Sequence, residues 1–138
     1  MRKTTKVLLT IILSIIFAIP SSFGAEKVFE GKLLGLQCFQ GKVDCSSDMY
    51  KYAHIAFEPD FVLAINPKKH YMLSNISRSL KQSLAGQNVI IKGDLIRKNT
   101  TIDVSEIKLK TDNSTVLVWS EEIEKEKRRK FEEDLYGH

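Results

Sequence analysis

The sequence predicts a mainly β fold: a small antiparallel barrel with one short helix between its third and fourth strands, and a charged helix after the last strand. Three observations carry that prediction. Apolar residues alternate with period two through much of residues 28 to 119, broken by turns rich in Gly, Asn and Pro. The period changes once, to four, at Ile76, Leu80 and Leu84. After Trp119 the composition becomes almost wholly charged.

The first 24 residues belong to a different class. Arg2, Lys3 and Lys6 precede a short apolar run from Val7 to Ile19, which Pro20 and two serines end. That is the layout of a secretory signal peptide, and the run is shorter than the roughly 20 residues of a bilayer span. Ser22 and Gly24 place cleavage after Gly24, with Ala25 as the alternative, and direct the chain to the periplasm or the medium. The full sequence carries 21 Lys and Arg against 17 Asp and Glu. The leader holds three of those bases and no acid, which leaves a mature charge near +1. A nearly neutral, exported chain argues against nucleic acid as a partner. The expected organisation is a leader at 1–24, a barrel domain at 25–119 and a charged helical tail at 120–138, with membrane contact only through the leader before cleavage.

Residues 28–39, VFEGKLLGLQCF, read as a first strand in which Gly31 and Gly35 mark a bend or the close approach of another backbone. HIAF and FVLAI read as strand pieces on either side of Glu58-Pro59-Asp60. NPKKH is a turn into HYMLS. NISRSLKQSLAGQN is a helix of about ten residues, with Asn75 or Ser77 as N-cap and Gly86 as its stop. NVIIKGDLI and TIDVSEIKL are strands joined by RKNT. Ile102 and Val104 differ in phase from Ile107 and Leu109, so one extra residue near Ser105-Glu106, a bulge, is expected. TVLVW is a last short strand, and Ser120 with Glu121 and Glu122 opens the tail helix. Ile123, Phe131 and Leu135 form its thin apolar stripe, interrupted by Lys127. That stripe makes the helix a protein-contact segment or a solvated helix held by ion pairs four residues apart. The order of elements is that of the five-stranded OB barrel.

Residues 84–109 resemble the second half of small exported bacterial OB-fold proteins. Leu84, Gly86, Val89, Ile91 and Gly93 match the pattern L-x-G-x-x-V-x-V-x-G, and Ile102 and Val104 match the following I-x-V strand. Gly31 and Cys38 match the opening G-x-V-x-D-x-x-C, whereas Gly35 stands at its Asp position. Many members carry a CAxxC-like segment before the second strand. This chain has YAHIA at 52–56, so no role of that cysteine pair transfers. The resemblance spans about residues 28–109 and implies the fold, with a ligand or oligomer bound on the barrel face.

The two cysteines are Cys38 and Cys45. In an oxidising compartment they are expected to pair, and closing so short a loop is worth about 2.5 kcal/mol by chain entropy. The alternative is a metal- or redox-handling accessory that uses Cys38, Cys45 and His54. Its ligand spacing departs from the two close pairs of a zinc site, and CxxC is absent. Tyr50, Tyr52 and Tyr71 are the candidate binding face. No catalytic motif appears, so no catalytic residue and no cofactor is assigned. The sequence reading is therefore a non-enzymatic binding or interaction module of the cell envelope, its partner a small molecule, a saccharide or an envelope protein.

Overall fold

The computed structural model describes residues 26–46 and 54–137. The expected leader, Tyr50 and Tyr52 lie outside those residues. Six strands follow one another: β1 (Lys27–Gly35), β2 (Phe61–Asn66), β3 (Lys69–Ser74), β4 (Asn88–Ile96), β5 (Thr101–Lys110) and β6 (Thr115–Ser120). Four helices accompany them: α1 (Leu36–Phe39), α2 (Ile55–Phe57), α3 (Arg78–Ser83) and α4 (Glu121–Tyr136). The strands make one mainly antiparallel sheet in the order β3-β2-β1-β4-β5-β6. In addition, β3 pairs with β5 in parallel, from Met72 opposite Thr101 to Ser74 opposite Asp103. The mainly β expectation, with one short helix before β4 and a terminal helix, matches this architecture, to which α1 and α2 are additions.

Strand β1 serves two neighbours. Residues 27 to 32 pair with β4, and residues 32 to 35 pair with β2. Gly31 sits just before the changeover, where a Cβ would collide with the Ala64 carbonyl oxygen. Only glycine lets the two backbones come that close. Gly93 makes the same kind of approach to the Asp103 carbonyl. Opposite it lies the expected bulge. Lys92 faces Glu106 and Gly93 faces Val104, so Ser105 is the extra residue. That single insertion puts Ile102, Val104 and Ile107 all in the interior despite their different parity.

The core gathers Leu33, Phe61, Leu63, Ile91 and Ile102 from four of the strands, and Ile76 and Leu84 from the ends of the α3 segment. Helix α3 begins where expected. The Ser77 hydroxyl accepts a hydrogen bond from the Leu80 N–H at 3.3 Å, and Gly86 has φ +82° after the last turn. At six residues it is shorter than its apolar period suggests.

The parallel seam is extended by one side chain. Asn75 takes a left-handed backbone, φ 55°, and its amide pairs with the backbone of Val104. Nδ2 donates to the Val104 carbonyl at 2.7 Å, and Oδ1 accepts from the Val104 N–H at 3.0 Å. A primary amide thus completes the ladder where β3 has already turned away. The β4–β5 hairpin is more strained. Arg97, Lys98 and Asn99 have φ of 50°, 58° and 63° in succession, a conformation that disfavours side chains with a Cβ.

Two sequence expectations are corrected. HIAF is not a strand: Ile55–Phe57 forms α2, and α2 and the segment after it are held by the Arg78 guanidinium, which donates to the Ala56 and Pro59 carbonyls at 3.1 Å each. The first strand ends at Gly35, and Cys38 lies on α1 instead. The cause is Glu58, which is 2% exposed. Its carboxylate accepts from the Gln37 N–H at 2.8 Å and from the Cys38 N–H at 3.1 Å, capping α1 from 20 residues away.

Candidate functional site

Around Cys38 the structure makes a fastening. Cys38 and Cys45 are joined by a disulfide, with Cα atoms 5.6 Å apart. Phe39 packs against the His70 ring at 4.5 Å between centroids, which ties α1 to β3. Below it, the Lys81 ammonium, largely buried, donates to the Asp60 carboxylate at 3.0 Å. The same Asp60 oxygen accepts from the Phe61 N–H at 2.8 Å. Every one of these polar groups is used to hold chain. With both sulfurs bonded to each other, neither is a thiolate ligand, and His54 is exposed at the start of α2. Among the described residues, no three His, Cys, Asp or Glu side chains cluster so as to hold a metal ion.

Tyr71 has a structural setting as well. It is 7% exposed and belongs to the core, its ring edge-on to Phe29 at 5.2 Å between centroids. The Lys69 ammonium stands 5.3 Å from that ring's centroid. Tyr71 therefore offers little surface for stacking a ligand. Tyr50 and Tyr52 lie outside the described residues, so the three tyrosines are not seen together.

The surface left unused by the fold is at the other end of the sheet. Strand β6 is the last in the order and pairs only with β5. Trp119, opposite Ile107, is buried and anchors it. Val118 is the extra residue of a bulge in the β5–β6 pairing, and Val116, Leu117 and Val118 are exposed in succession. An exposed apolar edge strand is a template for another chain unless charge or cover protects it. Ser120 then ends the strand and caps α4, its hydroxyl accepting from the Ile123 N–H at 3.2 Å. Glu121, Glu122 and Glu124 in the first turn suit the positive end of the helix.

Helix α4 runs for sixteen residues without a buried side chain. Phe131 is 64% exposed and Leu135 54%. Ion pairs brace the helix along its length: Lys125 with Glu121, Arg129 with Glu126 and Glu133, and Lys130 with Glu126. The Arg129 guanidinium beside Glu126, with a smaller contribution from Lys130, holds that carboxyl below the usual carboxylate range. Between α4 and the sheet lies an open cleft of about 990 Å³, with Leu117 and Ile123 as its apolar part and Glu26, Lys92, Ser105 and Arg129 among its polar lining. Glu26 and Lys92 pair there at 2.6 Å. Their hydrogen bond, with a second from Ser105, lowers the Glu26 pKa, and the same pair raises that of Lys92.

The sequence anticipated α4, its cap and its stripe. It did not anticipate that β6 leaves Val116, Leu117 and Val118 in solvent, because TVLVW reads only as a last short strand. The one hint in the sequence is that Val116, Leu117 and Val118 are apolar in succession rather than alternating. Comparison with protein-family models, with curated proteins and with solved structures returns no match for this chain.

Proposed function

We propose that the protein is a small exported OB-like interaction module of the bacterial envelope, non-enzymatic, which works by contact through its β6–α4 arm. The OB assignment is supported by the pairings β1–β2, β2–β3, β3–β5, β5–β4 and β4–β1, with α3 between β3 and β4, the connectivity of a five-stranded OB barrel. Export is supported by the disulfide, since such bonds persist in oxidising compartments.

One observation carries the choice of the arm. A sixteen-residue helix with no buried residue has little of the tertiary packing that stabilises most helices, yet it keeps Phe131 and Leu135 in solvent beside an apolar strand edge. Such a surface is maintained against its own cost when something binds it. The partner class it fits is protein, because the surface is long, ridged and ionic rather than enclosed.

The test is site-specific photo-crosslinking in the exporting cell, with the photoreactive residue at Phe131 or Leu135 and, as control, at Lys68 on the β2–β3 turn. Adducts from the two arm positions and none from Lys68 are expected. A silent arm with a reactive β2–β3 turn overturns the assignment and returns attention to the barrel face.

A further inference from the structure

The charges along α4 are unevenly placed about its apolar stripe. At about 100° per residue, Phe131 and Leu135 share one face with Lys127 and Arg128 on its flanks. The pairs made by Arg129 with Glu126 and Glu133 lie on roughly the opposite side. Lys127, Arg128, Glu132 and Asp134 take part in none of the ion pairs among the described residues. Around Phe131 the helix thus leaves two bases one turn before it and two acids just after it outside these pairs, and Glu124 and Glu122 nearer its start are outside them as well.

We infer that the arm docks on a second copy of this chain, α4 against α4, antiparallel, with the two-fold axis near Lys130 and Phe131. This inference rests on the reading of the arm as a contact element. In an antiparallel pair of helices, residues on one flank meet the same flank of the partner. Centred at that point, Lys127 meets Asp134 of the second copy on one flank, and Arg128 meets Glu132 on the other. Symmetry repeats both pairs, so Lys127, Arg128, Glu132 and Asp134 of each copy are matched, and Glu122 and Glu124 lie beyond the overlap. Phe131 packs on its own counterpart at the axis. Leu135 lies along the methylene stem of Lys127, which explains why a lysine occupies a stripe position: its stem covers carbon and its ammonium reaches the acid.

This register keeps the two sheets apart, since the end of each α4 comes level with Lys125 of the other. The overlap is about three turns, well short of a standard interface, so association is weak and depends on concentration and salt.

The experiment is sedimentation velocity of the mature chain from about 10 μM to 1 mM at low salt, with a charge swap. One variant carries Lys127→Glu and Arg128→Glu; the other carries Glu132→Lys and Asp134→Lys. Wild type is expected to dimerise. Each variant alone should stay monomeric, and their 1:1 mixture should recover the dimer, because every pair is then opposite in sign again. Recovery by mixing excludes loss of folding as the cause. Either of two results overturns the inference: wild type monomeric throughout, or variants that dimerise as well as wild type. If wild type is monomeric while Phe131 crosslinks another protein in the cell, the second copy is excluded and the contact role of the arm stands. If Phe131 crosslinks nothing, both fall.

Discussion

Strand β2 and helix α4 are opposite extremes of one chain. In β2, Phe61, Val62 and Leu63 are inaccessible in succession, so both faces of the strand are covered. In α4, sixteen residues follow one another and none is buried. One element is defined by what the fold presses against it, the other by its cap and its own ion pairs. The contrast separates two tasks. The sheet holds the shape, and the arm carries surface whose use lies outside the fold.

The largest expected effect tests that separation directly. Leu63→Ala should cost about 3 kcal/mol of unfolding free energy, and Phe131→Ala less than about 0.5, read from urea midpoints at dilute concentration. Equal losses would break the contrast. Close behind comes the charge comparison. Asp60→Ala strands the buried Lys81 ammonium and should cost about 2–3 kcal/mol, whereas Glu126→Ala on the arm should cost less than about 0.5. The same midpoints decide it. Replacing Cys38 and Cys45 together by Ser should cost about 2.5 kcal/mol at most and leave the α4 helix signal intact, because the fastening acts on the sheet end. A smaller effect of opposite sign is expected at the hairpin: Lys98→Gly should raise stability by about 1 kcal/mol, since glycine accepts φ 58° without a Cβ penalty.

The smallest prediction sharpens the contrast through pH. Glu126 has its pKa lowered in the folded helix by Arg129, from an ordinary value of 4.5. The unfolded chain therefore takes up this proton first as acid is added. The support Glu126 gives is complete well above pH 4.5 and is lost as pH falls below that value through its lowered pKa. Helical ellipticity should decline in that range before the near-ultraviolet signal of Trp119, which belongs to the core. Simultaneous loss would mean that the arm and the sheet unfold as one unit.

Much of this arrangement was legible in the sequence where local chemistry decides it. The caps at Ser77 and Ser120, the stop at Gly86, the close approach at Gly31 and the extra residue at Ser105 all follow from side-chain period and backbone preference. What stayed hidden depends on residues far apart. Glu58 and Asp60 look like ordinary loop acids, because nothing local shows that one caps α1 and the other meets Lys81, 21 residues on. HIAF is too short for its period to separate strand from helix. The left-handed run Arg97–Asn99 is visible in the sequence only as a turn, since none of its residues is glycine.

The Asn75 amide carries a consequence for how this protein is produced. Asn75-Ile76-Ser77 is an acceptor triplet for N-linked glycosylation, and in the folded chain its Nδ2 already donates to Val104. A eukaryotic secretory host attaches the sugar as the chain emerges, before β5 exists to claim that nitrogen. A glycan there would stand where the Val104 carbonyl has to sit, and β3 could not complete its seam with β5. Asn75 would thus make the same gene yield a sound sheet in a bacterial periplasm and a defective one from a eukaryotic secretory line, with no change in sequence.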